Sequence, residues 1–324
     1  METQERNSRF SDEPATRPDG STVIINRPSD CDRAIFNALS HYHYLDSDYL
    51  AALTGYNAGY VLNRLDPLKR KPNKYIAVAG EQTSNPRAHL ISKLLYRLDK
   101  RGAALVPEVT YRAPLSSSFS HDVVNERCLA SLEIGTIERP EIKPRWPEDI
   151  LAYEKTPDAT RSSPSPFVIP VSFQKNAERI EARVTPDTKL FGFERTHLPK
   201  GKFVFGVLET DRGTESIDPK DFERSGINRK AIEYIEILLQ ELYRSQFGVP
   251  NFYIFFIAMS ERRKQSIMAI IERQCRAQGC LQLLKFFCFK VHPDLYASEK
   301  PRATGHMLTE PWERVKNEPF CITG

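Results

Sequence analysis

Two hydrophobic periods divide this chain. From residue 30 to about 113 apolar residues mostly recur every three or four positions, the spacing of an amphipathic helix. "DCDRAIFNALSHYH" (30–43) sets Ile35, Phe36, Leu39 and Tyr42 on one stripe, with Asp30 or Asp32 as cap. "LDSDYLAALTGYN" follows with Asp46 or Ser47 as cap, Tyr49, Leu50 and Leu53 inward, and Gly55 suited to a left-handed exit. "NAGYVLNRLDPLKR" starts a third helix at Asn57, with Val61, Leu62 and Leu65 inward and Pro67 ending or kinking it. Strands are expected at Tyr75–Ala79 and Leu94–Leu98, then a short helix capped by Asp99, then a helix over Ser120–Glu138 with Val123, Val124, Cys128 and Leu132 inward. That last helix opens the second domain, and a proline-rich insertion (139–166) with a short helix in "PEDILAYE" follows it there.

Beyond it the period shortens to two. Strands are expected at Phe167–Phe173, Arg179–Val184, Leu190–Glu194 and Phe203–Glu209. A long amphipathic helix, "SGINRKAIEYIEILLQELYRSQFG", stops at Gly248; "FYIFFIAM" is a strand with apolar residues on both faces. A second helix runs from a Ser260 cap to Gly279, and "LQLLKFFCFKV" is a last strand. The fold class expected is α/β (α+β). A disordered tail (1–29) precedes an N-terminal winged helix-turn-helix domain (30–113). A mixed sheet flanked by helices (114–300) and a C-terminal tail (301–324) complete the chain.

Charge sharpens the reading of the first half. The whole chain carries only +4, but residues 57–106 hold ten Lys/Arg against three Asp/Glu. A basic block on a helix-turn-helix pattern points to double-stranded DNA. Asn57, Tyr60, Asn63 and Arg64 would face base edges or phosphates; Lys69, Arg70, Lys71 and Lys74 would follow toward the backbone, and the wing would add Arg87, Lys93 and Arg97. The other use of such a domain is protein contact, with the charges as a solvated face. Six scattered cysteines without a Cys-x-x-Cys pair read as reduced thiols rather than a zinc site. A polar N-terminus and the lack of a long apolar run lead us to expect a cytoplasmic protein without a membrane span.

The second half holds the candidate chemistry. In "FVFGVLETDRGTE" (203–215) an apolar run ends at Glu209 and Asp211, which strand alternation puts on one face, and Asp187 lies at a turn upstream. Such carboxylates are either solvated or able to hold a divalent cation. Asp187, twenty-one residues, Glu209, one residue and a third group resembles the way PD-(D/E)xK nucleases hold Mg²⁺. On that resemblance Glu126 of "HDVVNE" completes the site, and the order of elements is restriction-endonuclease-like. The third position, usually lysine, is Asp211, so Lys230 of "INRKAIEY" would have to approach from the following helix. If the domain is only a scaffold, Asp211 should instead pair with a neighbour such as Arg212 or Arg229.

The winged helix followed by "HDVVNE", "TPD", "LETDRGTE" and "RKAIEY" also resembles the replication-relaxation family over roughly residues 30–295, with Tyr234 downstream of Lys230. The resemblance implies a bacterial, plasmid-associated DNA-binding protein acting in replication, relaxation or mobilisation, with a non-canonical or inactive nuclease-like domain. It leaves room for a homodimer and for relaxase or replication proteins as partners. The alternatives are a Mg²⁺-dependent endonuclease or nickase, and a transcriptional regulator whose second domain dimerises.

Overall fold

A computed structural model describes residues 11–80, 82, 93–106, 111, 119–175, 178–199, 202–211, 213, 226–291 and 303–324. It is a mixed α/β protein whose chain divides into two compact units, Met1–Ile137 with Asp294–Met307, and Glu138–Pro293 with Leu308–Gly324. Among the described residues no helix is long and apolar enough to cross a membrane.

In the first unit, helix α1 (Asp30–His41) is capped by Ser29, not by Asp30 or Asp32. Asp32 instead sits at the third position and accepts from the Ser29 N–H, closing a capping box. Strand β1 (Leu45–Asp46) leads into α2 (Ser47–Thr54), capped by the Asp46 carboxylate and left through Gly55 at φ 72°. Helix α3 (Ala58–Lys69) starts from an Asn57 cap and runs past Pro67 to Lys69. The proline removes only the N–H that would reach Asn63, which lies on the exposed side. Leu62, expected inward, is 51% exposed. Val61, Leu65 and Leu68 make the buried stripe.

Strands β2 (Ile76–Val78) and β3 (Leu95–Leu98) pair antiparallel, as the sequence suggested, and β1 joins to give the order β1-β3-β2. Helix α4 (Lys100–Ala103) follows the Asp99 cap, and α5 (Phe119–Ile137) is the long helix expected there. Arg127 of α5 pairs with Asp46 at 2.9 Å, both almost fully buried. The expected N-terminal tail packs on this unit over its described residues: Asn73 accepts from the Ile25 N–H and donates to the Val23 carbonyl. Residues 1–10 lie outside the described residues. Residues 303–307 return to this unit, where Gly305 lies so close to Gly135 that a Cβ would come within 2.3 Å of its Cα.

The second unit is built on a seven-stranded sheet, order β12-β11-β10-β9-β8-β7-β4, with a separate hairpin β5-β6. The proline-rich segment contributes its edge, β4 (Ile142–Arg145), followed by α6 (Pro147–Ala152) and α7 (Asp158–Arg161). Strands β5 (Ile169–Lys175) and β6 (Glu178–Val184) form the hairpin, and β7 (Phe191–Arg195) and β8 (Phe203–Asp211) continue the sheet antiparallel. The long helix expected next is two, α8 (Ile227–Leu239) and α9 (Leu242–Phe247), broken at Glu241 with φ 49° and ended by Gly248.

Strand β9 (Tyr253–Ala258) lies parallel to β8, α10 (Glu261–Ala277) has the expected Ser260 cap, and β10 (Phe287–Val291) lies parallel to β9. The stretch expected as a C-terminal tail is folded: α11 (His306–Thr309) precedes strands β11 (Trp312–Arg314) and β12 (Asn317–Phe320), which extend the sheet, with Trp312 fully buried. One face of β8 and β9, through Phe205, Val207, Ile254 and Phe256, shares a core with Tyr234 and Ile235 of α8 and Ile267 and Ile271 of α10. Glu209 and Asp211 alternate onto that same helix-covered face.

Candidate functional site

The register of β7 against β8 creates the site. Their pairing begins at Phe191↔Gly206, so the distal end of β8 has no β7 partner on that side. Backbone N–H groups left there need acceptors. Two side chains of the preceding turn supply them: Thr188 Oγ1 accepts from the Leu208 N–H at 2.9 Å, and Asp187 Oδ2 from the Thr210 N–H at 2.8 Å. The Asp187 N–H points back toward Glu209 Oε1 at 3.4 Å. Strand and turn therefore hold Asp187 and Glu209 against each other.

Glu209 is 3% exposed. Its Oε1 accepts a short hydrogen bond from the Tyr234 hydroxyl, and Lys230 Nζ stands 2.9 Å from Oε2. Lys230 and Tyr234 are four apart on α8 and so share a face. The ammonium lies off the line of a hydrogen bond, however, and Oε2 is buried without an aligned donor. Burial, then the neighbouring Asp187 charge, pushes the Glu209 carboxyl up to about 7, against the opposing pull of Lys230 and Tyr234. The same burial, with Glu209 beside it, pushes the Tyr234 phenol well above its ordinary range.

Asp211 takes another course. It is 5% exposed and grips Arg263 of α10 in a two-pronged pair at 2.5 and 2.8 Å. Of the neighbours expected for Asp211, Arg212 lies outside the described residues and Arg229 bonds Glu233 at 2.8 Å. Glu126 belongs to the first unit, where it faces His43 at 3.2 Å. Among the described residues no three Asp, Glu, His or Cys side chains converge as a metal-binding group. Asp187 and Glu209 are the two expected ligands brought together, and Lys230 joins them. The poorly satisfied Oε2 makes this pair a fit for a divalent cation, since Mg²⁺ needs only one or two carboxylates beside water and phosphate oxygens.

Thr188 and Arg263 were not read from the sequence. Thr188 gave no signal. Arg263 gave one: "SERRK" puts three cations in the first turn of α10, against the helix dipole, which calls for an anion nearby.

The basic block of the first unit is more engaged than its sequence suggested. Arg64 bonds Asp32 through Nε at 2.9 Å and Nη2 at 2.7 Å, and Asp32 is fully buried. Lys69 and Arg70 both face Asp66, at 3.3 and 2.9 Å. Lys71 and Lys74, both well exposed, share Asp12 at 3.4 and 2.9 Å, and their hydrogen bonds hold its carboxyl below the ordinary range. Lys93 pairs with Asp48, and Arg97 is half-buried on β3. Arg87 lies outside the described residues. Asn57 is spent as the α3 cap. Tyr60 and Asn63 stand exposed on α3 beside Leu62, with the Tyr56 ring 5.9 Å from that of Tyr60. Set against family models, curated proteins and solved structures, the chain matches none.

Proposed function

We propose that this is a DNA-binding protein of the plasmid replication, relaxation or mobilisation type, with a second unit that carries a nuclease-like site for phosphodiester cleavage. The observation that carries the reading is the buried Asp187–Glu209–Lys230–Tyr234 cluster, with one carboxylate oxygen short of a donor. Its setting supports the same reading. A helix precedes β4, β7 and β8, which run antiparallel, and α8 then leads to β9, parallel to β8. That order, with the β5–β6 hairpin set between β4 and β7, supports a restriction-endonuclease-like reading, with Asp187 before one strand and Glu209 on the next.

Asp187 and Glu209 would hold a divalent cation. Bound there, the ion polarises the phosphate and lowers the pKa of water. Lys230 supplies the positive charge that a lysine in place of Asp211 would give, reaching from α8 toward Glu209. Its ammonium favours the charge gathering on the phosphoryl oxygens as water bonds to phosphorus and the bond to the leaving sugar oxygen breaks. Tyr234 fixes the Glu209 carboxylate, leaving Oε2 toward Lys230. The first unit supplies DNA affinity as a winged helix, through Tyr60 and Asn63 on α3 and the exposed Lys71 and Lys74.

A second reading is favoured by one observation, the Asp211–Arg263 pair: a scaffold that binds DNA without cutting it. Plasmid nicking with Mg²⁺ or Mn²⁺, set against the Asp187→Ala protein, separates the two. Metal-dependent nicking lost in the variant supports the first; no nicking by the wild type supports the second. The plasmid role rests on the motif resemblance, and cytoplasmic location with relaxase or replication proteins as partners goes with it.

A further inference from the structure

The turn that carries Asp187 has a second side. Pro186 and Lys189 line a cavity of about 320 Å³ together with Pro147, Glu148, Leu151, Pro166 and Phe167. The lining comes from the proline-rich segment, the residues just after it and the β6–β7 turn, so Asp187 and the cavity share one short stretch of backbone.

The stretch from Pro166 to Val168 is fastened. The Gln246 side-chain amide donates to the Pro166 and Val168 carbonyls at 2.8 and 2.9 Å, and Phe167 stacks on Phe247 with centroids 5.8 Å apart. The Thr160 hydroxyl in turn donates to the Gln246 carbonyl at 2.6 Å. Prolines have fixed φ and no N–H, so Pro147, Pro164, Pro166 and Pro186 give the cavity stiff apolar surface, between which Ser165, Thr185 and Glu148 add polar groups. The Lys189 ammonium lies 6.0 Å from the centre of the Phe167 ring, close enough for a cation–π contact. A half-buried aromatic ring with a cation over it, lining a cavity next to a two-carboxylate site, has the parts that single-stranded nucleic-acid sites use: a ring for the base and, once the cation swings aside, a charge for the backbone.

We infer that this cavity is a slot that receives the unpaired base of the nucleotide next to the phosphate bound at Asp187, so that the strand acted on is single-stranded or locally unpaired. The inference rests on the phosphodiester reading given above. A base inside a duplex is stacked on both faces and cannot enter such a slot without being taken out of the stack, so the cavity discriminates by base pairing rather than by sequence. Stacking on Phe167 is tolerant of base identity because every base has a π face.

The test uses the full chain with a single-stranded oligonucleotide carrying 2-aminopurine, the same sequence as a duplex, and the variants Phe167→Leu, Phe167→Tyr and Lys189→Gln. Leucine keeps apolar volume against Phe247 while removing the ring, and matched thermal melts check folding. Expected are a fluorescence change on binding by the wild type, about tenfold weaker single-strand binding by Phe167→Leu, recovery in Phe167→Tyr, and unchanged duplex affinity throughout. Lys189→Gln should weaken single-strand binding and lower its salt dependence.

Single-strand binding by Phe167→Leu equal to the wild type would overturn the slot. So would Mn²⁺-dependent cleavage of duplex as fast as of single strand, and either result leaves the phosphodiester reading standing. Ring-dependent single-strand binding without metal-dependent cleavage would remove the phosphodiester reading and keep the slot.

Discussion

Asp32 in the first unit and Glu209 in the second are both buried carboxylates faced by a basic side chain, and they differ in what that side chain leaves unsatisfied. Asp32 accepts two guanidinium hydrogen bonds from Arg64 and one from the Ser29 N–H. The planar fork of arginine matches the carboxylate, and the pair is complete. Glu209 receives a point charge from Lys230 off the hydrogen-bond line, and Asp187 crowds it with like charge. Asp211, on the same strand and face as Glu209, sides with Asp32 through its forked pair with Arg263. A completed pair fixes elements together; an incomplete one has coordination to offer a substrate or cation. The difference gives Arg64, expected to face DNA, a structural partner in Asp32.

The comparison can be broken most directly at its complete end. Arg64→Met strands the Asp32 carboxylate in the core and should cost about 3 kcal/mol in a urea titration; a loss under 1 kcal/mol would place Arg64 among removable surface charges. At the incomplete end, Asp187→Ala should cost about 1–2 kcal/mol by leaving the Thr210 N–H without its acceptor, while lowering metal-dependent nicking at least about a hundredfold, the scale on which a cation's charge stabilisation is lost. Cleavage that survives the change would take Asp187 out of the site.

Proton affinity sharpens the contrast. Burial raises the folded Glu209 carboxyl from 4.5 to about 7, so its contribution is full below the unfolded value and is lost as pH rises through about 7. Unfolding in metal-free buffer should show stability falling on the order of 2 kcal/mol between pH 5 and 8, at about 1.4 kcal/mol per tenfold in proton affinity. Glu209→Gln should flatten that slope, and an unchanged slope would exonerate Glu209. Because Glu209 can take up a proton, Lys230→Met should cost less than Arg64→Met, about 1 kcal/mol at pH 6 by the same denaturant measurement. The smallest effect belongs to the exposed lysines: Lys71→Glu or Lys74→Glu should weaken duplex binding by about 1 kcal/mol each and reduce the salt slope by about one, read by anisotropy at several salt concentrations.

Long elements with caps were legible in the sequence. Helix α10 between Ser260 and Gly279, the Gly55 exit of α2 and the doubly apolar β9 all carry local signals strong enough to decide their form. Strand β4, "IKPR", was read as insertion because proline speaks against a strand. It is tolerated because, among the described residues, β4 is the last strand of the sheet and pairs on one side alone. Strands β11 and β12 are three and four residues long, too short for a period, and only the surrounding sheet makes them. At the site, the pattern gave Asp187, Glu209 and Lys230 as candidates. The partition of Glu209 from Asp211 depends on which helix end meets each, Lys230 and Tyr234 on α8 or Arg263 on α10, and that pairing is tertiary.

The route of the chain between its two units bears on synthesis. Residues 303–307 close against α5 in the first unit, and strands β11 and β12 complete the sheet of the second. A ribosome that has made everything up to β10 therefore holds two unfinished bodies: one lacks the segment that seats Gly305 on Gly135, and the other has β10 as an open edge without Trp312. Translation at about 5–20 residues per second leaves that edge unpaired for seconds. An exposed strand edge is a template for pairing with a neighbouring chain, so on crowded polysomes the nascent protein is most prone to aggregate between the synthesis of β10 and that of β11.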